Sequence, residues 1–102
     1  MTVLSVTTLP IDPHAKWEDT LAGHRTAKAL LQKHGARNVR LLVSMVGALP
    51  VGTAHSVFEA DNQEALGKIN DSFFADPDVR ALIAGGGALP WTTSVLVEVP
   101  LD

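Results

Sequence analysis

The 102-residue chain contains no cysteine, which excludes disulfides, cysteine-ligated zinc and thiol nucleophiles and suits a reducing compartment. It also lacks a basic run. Its eight Lys and Arg residues are scattered and its formal charge is -3, so nothing is concentrated enough to hold a phosphate backbone, and no nucleic acid is expected as a partner. No apolar run approaches the length of a membrane span, and the start, Met1-Thr-Val-Leu-Ser-Val6, has neither the basic nor the apolar region of a signal peptide. The expected setting is the cytoplasm, with no membrane partner.

Chemical motifs are equally sparse. His14, His24 and His34 recur every ten residues, but ten residues turn a helix by about 280° beyond whole turns, so the rings do not converge and no metal is expected. Gly85-Gly-Gly87 lacks the Lys-Ser/Thr of a phosphate-binding loop and precedes a strand-like stretch, so it reads as a helix stop. Gly47 to Gly52 reads as a turn for the same reason. No cofactor is expected.

What the chain does have is apolar content: 46% of its residues are hydrophobic and 19% charged, rich for a chain whose small size leaves much of its surface in water. Residues 1 to 102 are expected to form a single domain with one core, part of whose apolar surface meets a partner. Lys28-Ala-Leu-Leu-Gln-Lys-His-Gly-Ala36 returns fifty-two positions later as Arg80-Ala-Leu-Ile-Ala-Gly-Gly-Gly-Ala88, with four positions identical. Each copy reads as the last turns of a helix, a glycine stop and a strand, so the chain reads as one unit used twice.

Residues 2 to 9 predict a strand rich in β-branched residues, stopped by Pro10. Asp12 as cap and Pro13 as first helical residue predict a long helix ending near His34, with Gly35 as its left-handed stop. Its apolar stripe is Trp17, Leu21, His24, Ala27 and Leu31. Residues 38 to 46 and 53 to 60 predict a hairpin. Closed symmetrically about the glycine-bounded turn, it sets Arg40 against Glu59, Leu42 against Val57 and Ser44 against His55. Asp61 and Glu64 resemble a capping box, which starts a second helix at Asn62. Asp76-Pro77 restarts the chain as a short helix, and Trp91 to Val99 predicts the last strand. The order is β-α-β-β-α-β, an α+β ferredoxin-like fold with a four-stranded antiparallel sheet and helices on one face. The far face is expected to present Val3, Ser5, Thr7, Arg40, Leu42, Ser44, His55, Val57, Glu59, Ser94, Leu96 and Glu98, a mixture suited to a second sheet packed on it.

With Leu30-Leu-Gln-Lys-His-Gly-Ala36 leading into a strand and Phe73-Phe-Ala-Asp-Pro77 in the second half, nearly the whole chain resembles the dimeric α+β barrel superfamily. That group includes cofactor-independent monooxygenases of antibiotic biosynthesis, NIPSNAP-like and EthD-like proteins and muconolactone isomerases. The resemblance implies a homodimer formed through the far face of the sheet and a small-ligand cleft between sheet and helices. It transfers no catalytic residue.

The residues themselves nominate a site. His24 interrupts an apolar stripe where Leu or Ala is expected, either as a core histidine bonded to a backbone carbonyl or Asn70, or as an acid-base group facing a ligand. Trp17, Phe73, His55 and Trp91 are the candidate substrate contacts, with core, cleft-wall or interface roles as the alternatives. The functional expectation is a protein that binds a small apolar or aromatic molecule, as a cofactor-independent monooxygenase or a cyclase or isomerase. The alternative is a non-catalytic dimeric binding or stress-related module.

Overall fold

A computed structural model describes residues 1–46, 52–85 and 91–101. The element order is β1 (Val3–Pro10), α1 (Trp17–Lys33), β2 (Arg37–Val43), β3 (Thr53–Ala60), α2 (Gln63–Ala75), α3 (Pro77–Gly85) and β4 (Thr92–Val97). The strands form one antiparallel sheet in the order β2-β3-β1-β4, the ferredoxin-like arrangement expected, with α3 as the short helix that Asp76-Pro77 restarts. Asp76 is extended (ψ 125°), as a residue before proline must be, and its carboxylate caps α3 through the Asp78 amide at 2.9 Å. The turn read at Gly47 to Gly52 and the stop at Gly85 to Gly87 fall largely outside the described residues.

Helix α1 begins later than expected. Asp12 accepts the His14 amide at 2.9 Å in a local turn, and the helix starts at Trp17 after an extended Lys16 that offers no side-chain cap. The end is as read: the Gly35 amide donates to Gln32 O and the Ala36 amide to Leu31 O, while Gly35 takes φ +99°, a conformation costly for any residue with a Cβ. In α2 the cap is Asn62, whose Oδ1 accepts the Ala65 amide at 2.8 Å; Asp61 instead pairs with Arg37 at 2.7 Å.

The hairpin register differs from the symmetric one by two residues. Arg40 lies opposite Val57 and Leu42 opposite His55, while Arg37 lies opposite Glu59 across an irregularity at residues 37–40 that puts Asn38 at φ +50°. A slip of two preserves the faces, so Arg40 still reaches Glu59, diagonally, at 3.0 Å. For β1 the face assignment is reversed. Val3, Ser5 and Thr7 lie under the helices, and Leu4, Val6 and Thr8 join Arg40, Leu42, Ser44, His55, Val57, Glu59, Ser94 and Leu96 on the far face.

The buried core is concentrated at one end of the sheet. Val3, Val39, Phe58 and Ala60 meet Leu31 and Ala36 from the end of α1 and Leu66 and Ile69 from α2. Each large aliphatic side chain buried there contributes roughly 1.5–3 kcal/mol.

Candidate functional site

At the other end of the sheet the floor changes character. Ser56, Thr7 and Thr93 form a row across β3, β1 and β4, and Thr7 Oγ1 lies 3.2 Å from Thr93 Oγ1. These side chains are too short to meet the helices above them. A cavity of about 460 Å³ remains, within the range that takes a small organic molecule.

Every element except β2 contributes to its described wall. Ala27 and Leu31 of α1, Asn70, Phe73 and Phe74 of α2, and Leu82 and Ile83 of α3 form the roof, with Leu9, Phe58 and Trp91 at the sides. Phe74 and Ile83 are themselves exposed, so the cavity opens to solvent between α2 and α3. The lining is mostly apolar, and the floor row, Ser5 and Asn70 supply hydrogen-bonding groups.

His24 enters this wall from the middle of α1. It also lines a second cavity of about 190 Å³, bounded by Leu21, Arg25 and Lys28 of α1, Val39, Arg40 and Leu41 of β2, and Ser56. His24 and Ser56 belong to both linings and form the partition between the two spaces. Among the described residues the His24 ring has no hydrogen bond to a backbone carbonyl or to Asn70. Burial holds its pKa below the ordinary value of 6.5, because the imidazolium would lose solvation there. A neutral, half-buried, unbonded imidazole is able to accept a proton from whatever occupies either side.

Phe73 is held from behind. His34 meets it edge-on at 6.4 Å, and His34 Nε2 lies 2.7 Å from Asp76 Oδ2, which also accepts Lys33 Nζ at 3.0 Å. These bonds, that of His34 foremost, hold the Asp76 carboxyl well below the usual carboxylate range. The cluster ties the end of α1 to the start of α3 and so fixes the roof.

Of the residues proposed from sequence, the structure brings His24, Phe73 and Trp91 together around the larger cavity. Trp17 stands at the first turn of α1, half exposed, outside both linings. His55 is on the opposite face of the sheet, buried, its Nδ1 2.9 Å from Thr8 Oγ1 and its Nε2 2.7 Å from Ser44 Oγ, which also accepts the Thr53 hydroxyl. With both ring nitrogens partnered, His55 has the geometry of a satisfied sheet residue. Sequence reasoning passed over Ser56 and Arg25. Ser56 carries no signal of its own in a strand that also holds Thr53, Ala54 and Ala60, and Arg25 was visible only as the neighbour of His24. Among the described residues no cluster of three or more His, Asp or Glu side chains is placed to hold a metal ion, and no helix is long and apolar enough to cross a membrane.

This architecture, a four-stranded antiparallel sheet roofed by helices over a hollow end, is a ferredoxin-like α+β fold. Among solved structures the chain is similar to an uncharacterized NIPSNAP-like domain protein from Burkholderia xenovorans, at 12% identity and TM-score 0.78 over 99% of this chain and 88% of that one. It is similar also to a DABB family protein with a ferredoxin-like fold from Mesorhizobium loti, at 17% identity and TM-score 0.67 over 98% and 100% of the two chains. A third similar structure is SnoaB, a cofactor-independent oxygenase from Streptomyces nogalater, at 10% identity and TM-score 0.69 over 98% and 95%. Likeness at these identities concerns the fold and does not transfer a reaction. No protein-family model matches the sequence, and no curated protein matches it.

Proposed function

We propose that this protein binds a small aromatic or otherwise apolar organic molecule in the helix-sheet cavity and processes it with His24 as the acid-base group. The observation that carries this reading is the state of His24: central on α1, shared by two cavities, kept neutral by burial and without a hydrogen-bond partner among the described residues. Phe73 and Trp91 are the aromatic contacts, and the row of Ser56, Thr7 and Thr93 supplies hydrogen bonds to oxygen substituents on the ligand.

Two reactions need only these parts. In cofactor-independent monooxygenation, a phenol gives its proton to His24 and the resulting phenolate is electron-rich enough to reduce dioxygen. One oxygen atom ends on the ring as a quinone carbonyl and the other leaves as water, with the substrate supplying all the electrons. In a cyclisation or isomerisation, the same imidazole takes a proton from an activated C–H and returns it elsewhere. The fold shared with an oxygenase is compatible with the first.

The far face supports a homodimer. Leu42 and Leu96 are about half exposed there, while Arg40 is neutralised by Glu59 and His55 is fully bonded, so a like surface meets apolar area and little unmet charge. The lack of cysteine suits the cytoplasm as the site of action.

The test is His24→Gln in the full chain, screened beside the parent against phenolic and polyketide-like aromatic compounds for binding and turnover. Gln keeps a polar side chain of similar reach and removes the proton acceptor. Turnover should fall by about 10²-fold or more while binding and thermal stability change little. In the parent the rate should rise with pH through a midpoint below 6.5 and level off near neutrality. Undiminished turnover in the variant, or a loss of stability alone, would make His24 a packing residue and favour a non-catalytic binding module.

A further inference from the structure

The two cavities that meet at His24 differ in electrostatic character. The larger is walled by Phe58, Phe73, Phe74 and Trp91 and, among the described residues, has no charged side chain in its lining other than what His24 can carry. The smaller has Arg25, Lys28 and Arg40 in its lining and no carboxylate among the described residues. Arg40 is already committed to Glu59 at 3.0 Å on the far side of the sheet. Arg25 and Lys28 are different: neither forms an ion pair or side-chain hydrogen bond among the described residues. They flank His24 on α1, one residue and one turn beyond it, in a chain whose overall formal charge is -3. Two unpaired cations bordering a pocket, in an acidic protein, form a local positive field opposite in sign to that of the whole molecule.

We infer that the ligand is an acid, an aromatic or apolar body in the larger cavity joined to a carboxylate that passes the partition and is held by Arg25 and Lys28. This inference deepens the proposed function, on which it rests. A fork of guanidinium donors beside an ammonium suits a planar carboxylate, and a pocket open to solvent lets the anion keep part of its hydration. His24 and Ser56 then lie at the junction of head and body. An acid held at its head presents to the imidazole the atoms next to the carboxylate, whereas an uncharged hydrocarbon is free to slide along the larger cavity. The cationic end sets the register of the substrate and not merely its affinity.

The experiment uses 2-naphthoate and its uncharged analogue 2-naphthamide as probes, titrated calorimetrically into the parent, Arg25→Gln, Lys28→Gln and the double variant. Quenching of tryptophan fluorescence is followed in parallel, with Trp91→Phe to identify the responding ring. Both substitutions lie on the exposed side of α1, and thermal melts confirm that the variants fold. The parent should bind naphthoate more tightly than naphthamide, by about fivefold or more as expected for one or two partly exposed ion pairs. Each single variant should lose most of that preference while binding naphthamide unchanged, and raised salt should weaken naphthoate binding alone. Equal binding of both probes by the parent, or a preference that survives in the double variant, overturns the acid assignment and leaves the apolar cavity reading standing. Binding of neither probe overturns both.

Discussion

His24, in the middle of α1, and His34, at its C-terminal cap, lie ten residues apart and meet opposite fates. His34 is drawn into the bonds that Asp76 gathers from α1, and His24 is left facing open space. The Asp76 cluster has a measurable signature. The folded-state pKa of Asp76 is depressed, so the stabilisation is complete above the ordinary carboxylate value of about 4 and is lost as pH falls below it toward the folded value. Asp76→Asn should lower stability at neutral pH and flatten its decline under acid, because the neutral amide has no proton to gain. Urea melts between pH 7 and 3 would check this, and parallel curves for parent and variant would show that the cluster contributes no pH dependence. At this scale the sequence disclosed a polar residue in an apolar stripe at His24, since helical spacing is local. It did not disclose His34 with Asp76, which lie forty-two residues apart and meet only when α3 folds back against α1.

Among the elements, β2 holds the most informative irregularity. Asn38 at φ +50° donates to Glu59, and that bond, with Arg40 beside it, lowers the Glu59 pKa. A β-branched residue is poorly suited to that backbone conformation. Asn38→Val should cost about 1–2 kcal/mol for the backbone, besides the lost bond, while Asn38→Gly should lose chiefly the bond and destabilise less. Chemical denaturation distinguishes the two, and equal effects would mean that the conformation is unstrained. The irregularity moves the pairing by one further residue between Arg40 and Arg37, while the two-residue difference from the symmetric register already stands at Val43 opposite Ala54 and so arises on the turn side. The error on β1 has another source. Its alternate sets, Val3-Ser5-Thr7-Leu9 and Leu4-Val6-Thr8, each mix aliphatic and hydroxyl side chains, so alternation marks a strand without marking its inner face. The false start of α1 was of this kind too, since Asp-Pro serves a turn as readily as a helix cap.

At the scale of the whole molecule, the far face of the sheet carries Leu42 and Leu96 half exposed. Light scattering of the purified chain should give twice its 10.8 kDa mass, and Leu42→Lys with Leu96→Lys should return it to a monomer by placing unpaired ammonium groups in the interface. A parent that stays monomeric at micromolar concentration would leave the far face without its proposed partner. Order and topology of the strands were legible because they follow from periodicity and turn chemistry. The hollow between sheet and helices was expected only through the resemblance, and its floor of Thr7, Ser56 and Thr93 was not read at all, because it arises from where helices pass over short side chains and no local pattern records that.

The separation of a filled end from a hollow end has a consequence for how such a chain can change over time. Val3, Leu31, Phe58, Leu66 and Ile69 secure the fold at one end, and Thr7, Ser56 and Thr93 only floor the other. Substitutions at Thr7, Ser56 and Thr93 reshape the hollow without touching the residues that keep the protein folded. A lineage built on this plan can diverge freely in the shape and lining of the hollow while its architecture stays constant, as fits a fold shared at 10% identity.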